Sequence, residues 1–337
     1  MVKVTVITVV YGNRWPLLRQ VAEQCLADRK VTTFVIVDNG CTTPEEMDVY
    51  ARKYGERITI MRQEKNVGYS GAISKGLEYA RGTDCDYVFV LDDDSVPEEH
   101  AIDYFLDTLK LFPNNKVILA GNRIDVPGNP LIFNRKPLAL TKTKGTLFDV
   151  FNLKAIVNLL SIVLRRSRVS DYPFIPVVPL EAFVTGASFL PIEVVRTAPL
   201  PDASLFIYGE DLEYSWRILR MGYSCYAVAR PIIRDIDLTF QPSEGSHITG
   251  LFDSETPAYK VYFRMRNAVI ISRRNTLQWQ LTLVLNVVVW FVGVCLIGLI
   301  KTGPTRTYFG RVRLIARALL TGFFPSIAFP SSVKKPT

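Results

Sequence analysis

Three adjacent carboxylates, Asp92-Asp93-Asp94, follow the apolar run Tyr87-Val88-Phe89-Val90-Leu91. Like charges this close repel one another and call for a counter-charge. A hard divalent cation, which prefers oxygen ligands and bridges the phosphates of a nucleotide, is one solution. Residues i and i+2 of an extended segment point the same way, so Asp92 and Asp94 can act together, one near a ribose and one on a metal. The same run also suits a solvated acidic turn, or a helix cap ahead of Pro97-Glu98-Glu99. A second acidic cluster is Tyr208-Gly209-Glu210-Asp211-Leu212-Glu213. A carboxylate at a helix start can serve as general base towards a hydroxyl, and it can equally do no more than favour the helix N-terminus. A third piece is Asn66-Val67-Gly68-Tyr69-Ser70-Gly71. Glycines that open a helix let the backbone approach a ligand, and a helix N-terminus favours phosphate, although G-x-x-G before a helix is a common pattern.

The elements that must position these residues are short and alternate. Val4–Val10 is rich in β-branched residues and reads as a buried strand. Leu18, Val21, Ala22 and Cys25 share one helical face within 15–26. Further strands are predicted at 34–37, 58–61, 87–91 and 117–120, and helices at 44–54, 70–80 and 98–111. This β-α-β-α order implies an α/β fold with a mostly parallel sheet flanked by helices on both faces. Ligands bind beyond the carboxyl ends of such strands, so Tyr11-Gly12-Asn13, Asp38-Asn39-Gly40 and Asp92-Asp93-Asp94 are expected on one sheet edge. The pattern breaks over about 124–178, which reads as an insertion containing an apolar helical segment at 148–164. That segment suits a lid, a membrane-facing helix or an ordinary core helix. Alternation resumes at 182–191, followed by a helix at 211–221 and a strand at 223–229. The catalytic unit is expected to span 1–270.

With 337 residues, 48% hydrophobic and 21% charged, the chain is long enough for one large domain with an appendage, or for two domains. The net charge of +8 suits a nucleic acid, an anionic membrane or a phosphorylated substrate alike. The five cysteines show no C-x-x-C spacing and there are only two histidines, which argues against a structural zinc site and for reduced thiols in a cytosolic domain. The N-terminal run ending at Tyr11-Gly12-Asn13 reads as a strand and not as a signal peptide.

Together these pieces resemble family 2 of the inverting glycosyltransferases, which have the GT-A fold. The resemblance spans roughly 2–267. It rests on T-V-V-Y-G-N-R at Thr8–Arg14, V-D-N-G at Val37–Gly40 and N-x-G-x-x-G at Asn66–Gly71. It continues through L-D-D-D at Leu91–Asp94, T-G-A-S-F at Thr185–Phe189 and E-D-x-E-x-x-W-R at Glu210–Arg217. The R-x-R-N at Arg264–Asn267 is similar to bacterial galactofuranosyl- and rhamnosyltransferases of cell-surface polysaccharide synthesis. The resemblance implies that Tyr11, Asp38, Asn66, Gly68, Asp92 and Asp93 hold the nucleotide sugar, with Asp38 on the nucleobase and Asp92 near the ribose. It implies that Asp94, with Asp92, binds Mg2+ or Mn2+, that His247 is a further metal ligand, and that Asp211 is the catalytic base. Glu210, Glu213, Trp216 and Arg264 would face the acceptor. Many relatives carry E-D-x-D where Glu213 stands here, which puts the acceptor contact at that position in doubt. The donors implied are UDP-galactofuranose or dTDP-rhamnose, and the acceptor a lipid-linked glycan.

Leu281–Ile300 is nearly continuous apolar sequence, long enough to cross a bilayer. Arg273 and Arg274 precede it, and Lys301, Arg306, Arg311 and Arg313 follow. Basic residues on both flanks oppose a single crossing. The 271–337 region is therefore expected to be a hydrophobic helical appendage in the cytosolic leaflet, with a transmembrane helix or burial in an oligomer interface as alternatives. Three other functions compete with this one. A transferase acting directly on a polyprenyl phosphate shares the donor site. Nucleic-acid binding fits the charge but lacks a module of basic and aromatic residues. A nucleotidyltransferase needs a longer glycine-rich basic loop than Tyr11-Gly12-Asn13-Arg14.

Overall fold

The computed structural model describes residues 1–114, 116–124, 133, 174–237, 249–275, 280–327 and 333. The segment predicted as a helix at 148–164 and His247 lie outside the described residues.

Alternation of side chains along the strands builds the centre of the molecule. Val4–Gly12 (β1) is buried from Val4 to Val10 because it pairs in parallel with Val31–Cys41 (β2) on one side and Tyr87–Asp92 (β4) on the other. Ile58–Arg62 (β3) extends the sheet beyond β2, again in parallel. Period-two geometry sends Phe34, Ile36, Phe89 and Leu91 into one core with Leu18, Val21 and Phe105. It sends Val35, Val37, Val88 and Val90 into another with Ile73, Leu77 and Tyr214. Helices Trp15–Ala27 (α1), Pro44–Tyr54 (α2), Gly68–Arg81 (α3) and Ala101–Leu109 (α4) connect these strands. Gly76 lets α3 close on β1, since a Cβ there would stand 2.5 Å from Ile7 Cγ2.

Beyond β4 the sheet takes in Ser188–Pro191 (β8), then Val117–Arg123 (β6), Ser224–Asp235 (β9) and Ser95–Pro97 (β5), while Val177–Leu180 (β7) pairs with β9. β8 is antiparallel to both β4 and β6, and β6 is parallel to β9. Thus β3, β2, β1, β4, β6 and β9 share one direction, which is the mostly parallel α/β sheet that the alternation implies. The reversal of β8 has no signature in its residues, because a strand buried on both faces reads the same in either direction. The helix expected at 98–111 is shorter: Ser95–Pro97 is drawn into the sheet against Ile233–Asp235, and His100 at φ 62 opens α4. The strand expected at 223–229 runs on to Asp235, which brings two further acidic residues, Asp235 and Asp237, to the edge that carries the Asp92 run. All five cysteines are free.

Helices Ile192–Thr197 (α5) and Glu210–Arg220 (α6) lie between β8 and β9. Three helices follow, Ala258–Asn275 (α7), Gln280–Thr302 (α8) and Arg306–Phe323 (α9). They form a third core of Tyr262, Phe263, Val269, Leu283, Val287, Trp290, Ile315 and Leu319, and Phe206 reaches into it from the sheet domain. α8 is long and apolar enough to cross a membrane. Leu283, Val287 and Val294 point inward, while Leu281, Leu285, Val288, Val292, Leu296 and Ile300 are more than half exposed.

Candidate active site

A cavity of about 360 Å³ opens where β1 and β4 end, with Asn39 at the end of β2 also on its wall. The expected convergence of strand-end residues is thus present: Tyr11, Asn39 and Asp92-Asp93-Asp94 all line it, together with Asn66, Gly68, Tyr69, Glu210 and Asp211. Asp92 is the last residue of β4, in register with Val9 of β1, and Asp94 leads straight into β5, its carbonyl accepting from the Ile236 N–H at 2.9 Å.

Two arginines organise the acidic run. Arg14 donates from Nε to Asp93 at 2.7 Å, from Nη2 to Asp94 at 2.8 Å and from Nη1 to Asp237 at 2.6 Å. Arg123, at the end of β6, donates from Nη1 to Asp92 at 2.9 Å and from Nη2 to Asp235 at 2.8 Å. Such charge-assisted bonds are short and directional. The carboxylates Asp92, Asp93, Asp94, Asp235, Asp237, Glu210 and Asp211 nevertheless outnumber the cations Arg14, Arg123 and Lys260. Burial pushes the Asp93 carboxyl up to about 7 against the pull of Arg14. Burial and then Asp92 raise Asp94 as well. Excess negative charge is what a bound cation relieves.

Asp211 sits in the first turn of α6. Its Oδ1 accepts from the Thr185 backbone N–H at 3.0 Å and from the Thr185 hydroxyl. Burial raises its carboxyl to about 6, and the two Thr185 bonds hold it from rising further. Tyr69 joins the two acidic clusters: its hydroxyl donates to Asp92 Oδ1 at 3.3 Å and lies 3.1 Å from Thr185 Oγ1. Glu210 is 6% exposed, and among the described residues its Oε2 has no hydrogen-bond partner. Burial first, and then Asp211, push it up to about 8. Two neighbouring carboxyls with separated affinities for a proton are a recurring acid–base arrangement.

The glycine-rich piece is tied into the chain at the start of α3 while Asn66 and Gly68 stay on the cavity wall. Asn66 Oδ1 accepts from Asn39 Nδ2 at 3.0 Å and from Gly68 N at 2.9 Å, while Asn39 Oδ1 accepts from Val67 N at 2.9 Å. Ser70 N donates to the Phe206 carbonyl at 3.1 Å. These amides at the start of α3 are therefore spent inside the chain. Gly68, at φ +78, is required by the close passage of Phe206, whose ring Cδ2 would stand 2.6 Å from a Cβ. The glycine serves packing between loops and leaves the Gly68 backbone on the cavity wall.

Several expected residues lie off the wall. Asp38 is buried and its Oδ1 accepts from the N–H groups of Gly40 and Cys41 at 3.1 and 2.8 Å, so it shapes the turn that presents Asn39. Glu213 is buried against Arg217 at 2.8 Å. Trp216 and Arg264 are half-buried and do not line the cavity. Arg14, Arg123, Thr185, Tyr259 and Lys260 were not singled out from the sequence. Thr185 and Arg14 stand inside motifs already noted, Thr185-Gly186-Ala187-Ser188-Phe189 and Thr8–Arg14. Arg123 is the polar end of a strand, the same signal that marks Asp92.

The site fits a divalent cation in donor chemistry, because Asp92 and Asp94 offer oxygen only and the charge balance is negative. Among the described residues no three of His, Cys, Asp and Glu are already gathered as a ligand cluster.

Residues 5–166 match the family model described as Glycosyl transferase family 2. No curated protein matches the sequence. The crystal structure of GalNAc-T7 with UDP, GalNAc and Mn2+ is similar at a TM-score of 0.56 and 13% identity, over 81% of this chain and 48% of that one. The chain thus spans about half the length of GalNAc-T7. Residues 1–349 of S. aureus TarS in complex with UDP-GlcNAc give a TM-score of 0.50 and 12% identity, over 95% of this chain and 81% of that one. At these identities the likeness is one of fold.

Proposed function

We propose that this chain is an inverting glycosyltransferase that takes a sugar from a UDP- or dTDP-linked donor, with Mg2+ or Mn2+, and delivers it to a lipid-linked glycan. The observation that carries this reading is the joining of two carboxylate clusters across one cavity, Asp92–Asp94 at the end of β4 and Glu210-Asp211 at the start of α6, through Tyr69 and Thr185. One cluster suits a nucleoside diphosphate with its cation, and the other suits an attacking hydroxyl. The Glycosyl transferase family 2 match over 5–166 supports it, as do neighbours solved with UDP and Mn2+ and with UDP-GlcNAc.

In this reading Asp94, helped by Asp92, holds the cation, which when bound offsets the charge of the leaving diphosphate. Asp92 also faces the ribose. Tyr11, Asn39, Asn66 and Gly68 border the nucleotide, and Asp38 acts through the turn it holds. Asp211 takes the proton from an acceptor hydroxyl while Thr185 fixes the orientation of its carboxylate. The hydroxyl oxygen then bonds to the anomeric carbon on the face opposite the departing diphosphate oxygen, which leaves with the bonding electron pair and inverts the centre. Glu210 lies beside Asp211 on the acceptor side, and Glu213 supports the helix from behind through Arg217.

The outward face of α8, with Phe309, Leu320 and Phe324 of the neighbouring segment exposed beside it, and the flanking Arg273, Arg274, Lys301 and Arg306 suit an anionic leaflet on the cytoplasmic side. A lipid-linked acceptor is presented at such a surface. The test is a panel of nucleotide sugars with Mn2+ and a membrane-lipid extract as acceptor. Sugar transfer from a UDP- or dTDP-linked donor supports the reading. Transfer to a polyprenyl phosphate alone selects the other acceptor class, and failure to turn over any donor removes the reading.

A further inference from the structure

The last residue of the R-x-R-N motif has no role in the chemistry described above, yet it is among the most enclosed polar groups of the described residues. Asn267 lies on α7 and is 1% exposed. Its Nδ2 donates to three backbone carbonyls of one segment, Leu205 at 2.7 Å, Ile207 at 2.9 Å and Tyr208 at 2.8 Å. Arg266 Nε donates to Asn267 Oδ1 at 2.9 Å, which fixes the end of the amide that faces those carbonyls. Arg266 Nη2 adds a bond to Ser204 O at 2.5 Å.

The segment held this way is unusual. Phe206, Tyr208 and Gly209 have φ of 65, 69 and 86, and non-glycine residues persist there only when their surroundings impose it. A Cβ on Gly209 would displace the Ile271 Cδ1 of α7. Phe206 stacks on Phe263 of α7 with ring centroids 4.7 Å apart. The segment is also functional in position, because Phe206, Ile207 and Tyr208 line the cavity and, after Gly209, so do Glu210 and Asp211. α7 is braced from its other side: Arg273 Nη1 donates to Phe323 O at 2.7 Å, and a Cβ at Gly322 would stand 2.6 Å from Val269 Cβ.

We propose that Asn267 is a positioning residue that sets turnover and not donor affinity, by holding the 205–208 segment so that Glu210 and Asp211 stand correctly against a bound donor. The inference rests on the transferase reading. The nucleotide-side groups Asn39, Asn66 and Asp92 are held by one another's loops, Arg123 and Tyr69, and meet the clamped segment at one remove, through the start of α3, where Ser70 N donates to the Phe206 carbonyl. The acceptor-side carboxylates Glu210 and Asp211 follow the strained segment directly in the chain, so loss of the clamp acts on them first.

The test uses the full chain with Asn267→Leu, which removes the donors, and Asn267→Asp, which keeps size but sets a carboxylate against three carbonyls. Both are read by amide hydrogen exchange over 205–211 and by steady-state kinetics. The expected result is faster exchange there, kcat lowered by about 100-fold, the order of loss that misplacement of about 1 Å produces, and donor KM within about threefold of wild type. Wild-type kcat in both variants overturns the inference. So does a loss shared equally by KM, kcat and thermal stability, which marks a merely structural residue. Should neither variant fold, Arg266→Gln removes only the orienting N–H; a lowered kcat at constant KM supports the clamp, and unchanged kcat overturns it. A wild-type chain inactive towards every donor, with exchange over 205–211 still governed by Asn267, sinks the transferase reading while leaving the clamp standing.

Discussion

Gly186 lies where the strand carrying Phe189 turns past Asp92, and a Cβ built on it would stand 2.6 Å from both Cγ and Oδ1 of Asp92. That is about 1 Å inside the 3.5–4.0 Å optimum for carbon contacts. Gly186 has no positive φ, so Gly186→Ala is a steric change without backbone strain. Asp92 can give way only by rotating, and its Oδ2 is held by Arg123 at 2.9 Å and its Oδ1 by Tyr69 at 3.3 Å. Overpacking of this kind costs about 1–3 kcal/mol, and a part-exposed ion pair adds at most about 1 kcal/mol. A domain with stability on the order of 5–15 kcal/mol therefore still folds. Activity suffers more, because displacement of a positioned group by about 1 Å costs on the order of 100-fold in rate. The assay is kcat/KM for the active nucleotide sugar, with thermal unfolding of the same sample. Gly222→Ala is the control: its φ is +87 with no atom within 4 Å of the added Cβ, so it loses stability by about 1–2 kcal/mol from backbone strain and keeps its activity. A folded Gly186→Ala protein with kcat/KM within about threefold of wild type refutes the claim that Asp92 must stand where it does.

Three further outcomes follow from the same geometry. Burial raises the Glu210 carboxyl from 4.5 to about 8 in the folded chain, so the folded state binds more protons than the unfolded state between those values and loses stability as pH rises through them. Glu210→Gln removes that loss, and its melting temperature relative to wild type should climb from about pH 5 to about pH 9; a difference constant with pH contradicts the assignment. Excess chelator should abolish transfer, with Mn2+ or Mg2+ restoring it, whereas undiminished activity takes Asp94 and Asp92 out of the metal role. Vesicles rich in anionic lipid should sediment the protein at low salt and release it as rising salt shortens the Debye length, and equal binding to neutral vesicles counts against the basic flanks of α8.

Much of the site was legible because strand ends are legible. The apolar runs at 4–10 and 87–91 fix where β1 and β4 stop, so Tyr11 and Asp92–Asp94 had to meet on one edge, and the burial of Phe34, Ile36, Val35 and Val37 on alternate faces follows from spacing alone. The counter-charges were not legible. Arg14 reaches Asp237 across 223 positions and Arg123 reaches Asp235 across 112, and no local pattern announces a pairing at that distance. The turn bonds of Asp38 were not legible, because a polar residue at a strand end reads alike whether it faces a ligand or holds its own turn. Glu213 stands two residues, about half a helical turn, beyond Asp211, and its packing against Arg217 is not announced by the E-D-x-E pattern. The clamp by Asn267 was invisible for a further reason: its partners are backbone carbonyls, which carry no residue identity.

Asp211 bears the proposed proton transfer at the centre of the site. With the donor that the wild-type chain uses, Asp211→Asn should lose transfer while binding the nucleoside diphosphate, in the presence of Mn2+, with an affinity within about threefold of wild type. Thr185 can still donate to the amide oxygen, so the fold and the donor side are preserved while the proton acceptor is gone. Near-normal transfer by purified, folded Asp211→Asn protein would contradict the assignment of the base and, with it, the pairing of the two carboxylate clusters as donor and acceptor halves of one site.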